Sequence, residues 1–244
     1  MVTLAPGGLD FGTGSVPRLA PGPFNPHLPE ALPIMKFSHP GRLAGLCMTL
    51  FLLLAVTPVQ ATQLVQQNLT QLISAAETII SGRVTKVTDG FTQNGIPYTE
   101  VTIAVSGAAK GADADLATYT FRQFGLLAPR TLADGTRYLG LSPEGFARWQ
   151  EDEIVIAFLH RPASMTGLQT TAGLAQGKFA LREGKYVNQF ENRGLFDGVE
   201  VDVKDLTDAQ HNILTHGGPA DAGAFMELIR RAVAEKWIEQ GEMR

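Results

Sequence analysis

Alternation between apolar and polar positions organises the chain from residue 63 onward. Over residues 63–76, Leu64, Val65, Leu69, Leu72, Ile73 and Ala76 recur at helical spacing with no glycine or proline among them, which predicts a short amphipathic helix. The period then shortens. Residues 78–88 (TIISGRVTKVT) and 98–105 (YTEVTIAV) are β-branched runs with partial alternation, joined by a connector carrying Asp89-Gly90 and Asn94-Gly95. They predict an antiparallel pair. Residues 116–124 (LATYTFRQF) predict a third strand. Residues 153–159 (EIVIAFL) are apolar on both faces, which places a fourth strand at the centre of a sheet. Residues 178–182 and 185–190 flank Glu183-Gly184, the spacing of a tight hairpin, and predict strands five and six.

Residues 125–152 are long and punctuated, with Pro129, Asp134-Gly135, Gly140 and Pro143. Within them Ser142-Pro143 reads as the cap and first position of a helical turn over residues 144–149. A long loop over a small sheet is a natural place for a binding site. Toward the end, residues 206–214 predict a short helix capped by Thr207 or Asp208 and stopped by Gly217-Gly218-Pro219. A longer helix is expected from there to the C-terminus, with Phe225, Leu228, Ile229, Ala232, Val233 and Trp237 on one stripe. No repeat is apparent. Six short strands with helices at both ends define an α+β class, a small antiparallel β-barrel or sandwich with an N-terminal helix and C-terminal helices.

Several of these strand and turn patterns recur in a known order. Ala76-Glu77-x-Ile79-Ile80-x-Gly82-x-Val84 is followed by Tyr98-Thr99-x-Val101-Thr102, Ala109-Lys110-Gly111, the run Glu153 to Leu159, and Gln176-Gly177-Lys178-Phe179. Across residues 70–199 the chain resembles a bacterial exported domain family, and more distantly the OB-like barrel of netrin modules and tissue inhibitors of metalloproteinases. The resemblance implies an OB-like barrel and an exported location. It supplies no activity, and this chain lacks the cysteines that staple the animal versions.

Ahead of the periodic region the pattern differs. Lys36, His39 and Arg42 precede fourteen uncharged residues (43–56, LAGLCMTLFLLLAV), and Val59-Gln60-Ala61 follows the Pro58 breaker. This is the layout of a secretory signal peptide over residues 35–61. The run is shorter than the roughly twenty apolar residues of a spanning helix, so no stable membrane anchor is expected after cleavage. Leu46 before Cys47 argues against lipidation. Residues 1–34 hold seven of the fourteen prolines with almost no charge, a composition that cannot bury a core. They are expected to be disordered, a mis-assigned start ahead of Met35. The organisation expected beyond residue 61 is a barrel-like domain over 62–200 and a helical segment over 201–244.

The expected mature chain has 183 residues, enough for a sizeable core. Its composition excludes some chemistry. Cys47 is the sole cysteine, so disulfides, thiolate catalysis and cysteine metal sites are excluded beyond residue 61. Setting aside Arg18, Lys36 and Arg42 from the 20 basic residues, and Asp10 and Glu30 from the 24 acidic ones, leaves 17 against 22, a net charge of −5. An acidic surface disfavours nucleic acid and anionic membrane as partners.

Motifs of catalysis are weak. His160, His211 and His216 are the histidines beyond the signal, no HExxH occurs, and a spacing of five does not put His211 and His216 on one helical face. Ser142 lacks the GxSxG context of a nucleophile elbow. Asp197, Glu200, Asp202 and Asp205 fit no EF-hand spacing, and neither a Walker loop nor GxGxxG is present. No cofactor or metal is therefore expected.

Two stretches suit binding instead. One is Arg122, Gln123 and Phe124, where the third strand opens the long loop; the other is Phe190, Asn192, Arg193 and Phe196, where aromatics alternate with planar hydrogen-bonding groups. A structural role competes with this, in which Phe190, Leu195 and Phe196 cap the core while Asn192 and Gly194 shape a turn. The expectation is a non-enzymatic module of the cell envelope that binds an envelope protein or glycan. The alternatives are a hydrolase whose carboxylates and histidines converge only in three dimensions, and a structural envelope protein.

Overall fold

The computed structural model describes residues 65–113 and 115–244. The proline-rich segment over 1–34 and the signal peptide over 35–61 lie outside the described residues.

Helix α1 (Leu69–Ala75) begins at a reciprocal cap. Asn68 Oδ1 accepts from the Gln71 backbone N–H, and Gln71 Oε1 accepts from the Asn68 N–H, both at 3.0 Å. Residues 65–67 lie outside the helix, so it is shorter at its start than the periodicity predicts. Gln176 holds this segment instead: its Oε1 accepts from Gln67 N–H at 2.8 Å and its Nε2 donates to Val65 O at 2.9 Å.

Two fourteen-residue strands follow, β1 (Thr78–Phe91) and β2 (Pro97–Lys110). They pair antiparallel from Phe91 opposite Pro97 to Ile79 opposite Lys110, with register shifts at Ile79/Ile80, Ser81/Gly82 and Val84/Lys86 that bend the ribbon. Strand β3 (Thr118–Phe124) lines the far edge of β2. The long loop then carries a small hairpin of its own, β4 (Arg130–Thr131) with β5 (Arg137–Tyr138). Strand β6 (Ile154–Leu159) pairs with β1, and β7 (Lys178–Arg182) with β6. The turn from β7 to β8 (Lys185–Val187) has Glu183 at φ 49° and Gly184 at φ 77°, the two left-handed residues of a type I′ hairpin. After α2 (Asp208–His216), capped by Thr207, come β9 (Ala220–Asp221), α3 (Ala222–Ala234) and α4 (Trp237–Gln240). The resulting sheet runs β3-β2-β1-β6-β7-β8-β9, with every neighbouring pair antiparallel. The class is α+β, as expected.

The sheet buries both faces. In β6, Val155, Ala157 and Leu159 join Ile80, Val84, Val101, Ile103, Phe121 and Trp149 in one apolar cluster. Ile156 and Phe158 point the other way and join Leu69, Leu72, Ile79, Phe179, Phe225, Leu228, Ile229 and Trp237. One strand therefore divides two cores, which is why its sequence is apolar throughout. Residues 169–172 run beside the end of β6: Thr171 bridges Leu159, and Ala172 N–H donates to Phe158 O at 2.8 Å. From the same segment Gln169 N–H donates to Arg122 O on β3 at 2.7 Å, so it touches both β6 and the opposite edge of the curled β1–β3 ribbon.

Two helical expectations are corrected. Residues 144–146 make a single turn, closed by Phe146 N–H donating to Pro143 O at 3.2 Å, and residues 147–149 carry no helix. The chain's last helix is also not continuous. Lys236 adopts φ 56°, a left-handed conformation that ends α3 and restarts the chain as α4. Trp237 is fully buried, reached by this break and not by the helical stripe. Among the described residues, no helix is long and apolar enough to cross a membrane.

Candidate ligand-binding surface

Strand alternation divides the first candidate stretch. On β3, Phe121 and Gln123 are buried on the side of the Val155, Ala157 and Leu159 cluster, so Arg122 and Phe124 face outward. Gln123 is buried among the core residues, donating from Nε2 to Ala147 O at 3.0 Å and accepting from Trp149 Nε1 at 3.4 Å. Its amide is consumed by that interior network. Outside, register sets Arg122 opposite Glu100 and Phe124 opposite Tyr98. Arg122 Nε meets Glu100 Oε2 at 2.7 Å, and its guanidinium lies 4.4 Å from the centroid of the Tyr98 ring. The hydrogen bond to Glu100 raises the Arg122 pKa above the ordinary guanidinium value. Tyr98 thus completes a small aromatic and ionic ladder with Arg122 and Phe124. Sequence reasoning missed it, although the alternation in Tyr98-Thr99-Glu100 was the available signal.

The second stretch is a series of turns between β8 and α2. Asn188 and Asn192 knit it together: Asn188 Oδ1 accepts from Phe190 N–H and Asn192 N–H, both at 2.9 Å, and Asn192 Oδ1 accepts from Asn188 N–H at 2.8 Å. Asn192 Nδ2 donates to Tyr186 O and Gly218 O, each at 2.9 Å. Its φ of 58° suits asparagine, whose short side chain tolerates the left-handed region. Phe196 packs in the core, its ring centroid 6.1 Å from that of Phe225. Asn192 and Phe196 therefore shape the turn and cap the core. Phe190 and Arg193 remain accessible. They line a cavity of about 210 Å³ together with Gln66 and Gln176, so the extended segment ahead of α1 forms one wall and the turn the other. Gly194 belongs to the same wall, since a Cβ at its φ of 68° would collide with the Gln66 side chain.

The seven candidate residues thus fall in three settings. Arg122 and Phe124 share an outer sheet face, Phe190 and Arg193 share a cavity, and Gln123, Asn192 and Phe196 are interior. Gln66 and Gln176 escaped sequence reasoning because a glutamine's role is decided by long-range partners, here more than one hundred residues apart.

The residues weighed for catalysis stand apart. His160 Nδ1 lies 3.0 Å from Ala75 O, at the end of α1. His211 and His216 are exposed on α2, and Ser142 N–H donates to Leu126 O within the long loop. Glu200 pairs with Arg244 at 2.8 Å. Among the described residues, no three His, Cys, Asp or Glu side chains are grouped to hold a metal ion.

Fold and surface together define an α+β domain with a seven-stranded antiparallel sheet, an outward aromatic ladder and a small polar and aromatic cavity. No protein-family model, curated protein or solved structure matches the chain.

Proposed function

We propose that the protein is an exported binding module of the cell envelope, built on an OB-like barrel, which holds a glycan in the cavity between residue 66 and the 188–193 turn. The observation that carries this reading is the lining of that cavity by Phe190, Arg193, Gln66 and Gln176. An aromatic face stacks on the apolar face of a sugar ring, while a guanidinium and the Gln66 amide supply directional donors and acceptors for hydroxyl and acetamido groups. Gln176, its amide bonded to Gln67, Val65 and Gly173, fixes the wall. The volume suits one ring or one short branch. The contact of Gln169 with β3 supports a barrel, because it joins the edge of the β1–β3 ribbon to the segment that continues from β6. Export rests on the signal-like residues 35–61.

The test is a titration of isotopically labelled protein with chitotetraose, followed by amide and side-chain NMR shifts. Saturable shifts confined to Gln66, Gln176, Phe190 and Arg193, weakened at least tenfold by Phe190→Ala, are expected. Shifts elsewhere, or undiminished binding by the Phe190→Ala variant, would overturn the assignment. Export has its own test, the N-terminal sequence of protein recovered from extracytoplasmic fractions. A chain starting near Thr62 is expected; one retaining Met1 in the cytoplasm would sink that part of the proposal.

A further inference from the structure

On the other side of the 188–193 turn a second cleft, of about 270 Å³, opens between residues 147–153 and strand β7. Lys178 forms its floor. The Lys178 side chain is only 10% exposed, its ammonium is paired with Glu153 and bonded to Arg148 O, and it lies 5.1 Å from the centroid of the Trp149 ring. Burial is the largest influence on this amine and lowers its pKa, with the bond to Glu153 acting in the opposite sense. A cation kept from water gains most from a further negative charge nearby.

The walls reinforce that charge. Arg148 and Arg182 line the same cleft, and among the described residues neither makes an ion pair. Arg182 stands close enough to Lys178 to disfavour the ammonium electrostatically, a repulsion that a shared counter-ion would relieve. Against these three cations stand Glu153, already engaged by Lys178, and Glu191. The cleft is thus locally positive within a region from residue 62 that carries a net charge of −5. The side-chain amides of Gln150 and Gln189 complete the lining with no protein hydrogen-bond partner among the described residues.

We infer that this cleft is a binding site for an acidic saccharide, with the carboxylate of a uronic acid held by Arg148 and Arg182 over Lys178. The two guanidiniums offer forked donors that match a carboxylate. Gln150, Gln189 and Glu191 supply the donors and acceptors that neighbouring hydroxyls require. The apolar residues of the lining are all short, Ala147, Ala175, Ala180 and Val187. That favours a hydroxylated ligand over a peptide, which would need deeper side-chain pockets or a free strand edge. The inference stands on residues distinct from those of the Phe190 cavity, and either can fail without the other.

The experiment is calorimetric titration of the full-length chain with tetragalacturonic acid, with maltotetraose and tetraglutamate as comparators. Saturable binding of the uronic acid oligomer is expected, weakened at least tenfold in each of Arg148→Gln and Arg182→Gln, and weakened by added salt. Both arginines are exposed and, among the described residues, make no ion pair, so the variants should keep the wild-type unfolding midpoint, which verifies that lost binding is not lost folding. Equal binding of maltotetraose would overturn the role of charge. Equal binding of tetraglutamate would overturn the saccharide class, and unchanged affinity in both arginine variants would overturn the site. Phe190→Ala should leave this titration unaltered; a matching loss there would place the ligand in the neighbouring cavity instead.

Discussion

Asn192 shows how much one polar side chain can hold when it is buried. Its amide and backbone satisfy two carbonyls and two backbone or side-chain groups of residues 186–188 and 218, in a conformation with positive φ. Replacement by alanine leaves Asn188 N–H, Tyr186 O and Gly218 O without their partner. It also places a residue with a Cβ and no compensating local bond in the left-handed region. The expected loss in Asn192→Ala is about 3 kcal/mol by urea denaturation, at an unchanged slope. Asn192→Gly separates the two causes, because glycine accepts the backbone but restores no bond, and it should recover about 1 kcal/mol of that loss. Equal losses in both variants would show that the hydrogen bonds carry the whole effect. The same residue marks the limit of reading a site from sequence. The run from Gln189 to Phe196 displays binding-type side chains, but only their partners decide that Asn192 and Phe196 turn inward while Phe190 and Arg193 stay accessible.

Among elements, β1 carries a tight backbone constraint. At the register shift between Ser81 and Gly82, a Cβ on residue 82 would sit 2.1 Å from Ala104 O and 2.8 Å from Ile103 Cγ2. Backbone of the paired strand cannot yield as a flexible side chain could, so Gly82→Ala must separate β1 from β2 or shift the bulge. The expected cost is about 3 kcal/mol or more. Gly184→Ala is the comparison: its φ of 77° is left-handed, yet nothing lies within 4 Å of the added atom, and about 1 kcal/mol of backbone strain is expected. Thermal unfolding of the two variants side by side checks the order; a larger loss in Gly184→Ala would refute the steric account.

Elements also differ in how far the pattern of residues reveals them. Strand β6 and the Glu183-Gly184 hairpin were legible, since a two-faced apolar run and a two-residue turn are local signals. The start of α1 was not, because Leu64 and Val65 continue the helical period while the Asn68 and Gln71 cap ends it. Trp237 likewise keeps the stripe of α3 in sequence, but Lys236 breaks the helix before it. Periodicity records which residues are buried and is silent on whether one helix or two delivers them.

At the scale of the whole molecule, the two cores depend on different parts of the chain. The inner cluster draws on β1, β2, β3, β6 and the 147–149 segment, all of it ahead of residue 160. The outer cluster is assembled from both ends: Leu69 and Leu72 of α1, Ile79, Phe158 and Phe179 of the sheet, and Ile213, Phe225, Leu228, Ile229, Trp237 and Met243 beyond residue 201. The final residues are bound in as well. Val201 bridges Met243, and Glu200 and Arg244 exchange backbone hydrogen bonds at 2.8 and 3.0 Å. A variant ending at Glu200 would therefore uncover one face of the sheet and strip β8 of its neighbour β9. Each large side chain restored to water forfeits about 1.5–3 kcal/mol, and five or six such losses, about 8–18 kcal/mol, are as large as the roughly 5–15 kcal/mol that separates a typical domain from its unfolded state. The expectation is that this shortened chain shows no cooperative thermal transition and binds a hydrophobic dye in native buffer. A sharp transition with no dye binding would mean that the inner cluster folds alone, and that the helices beyond residue 201 are an appendage to a self-sufficient sheet.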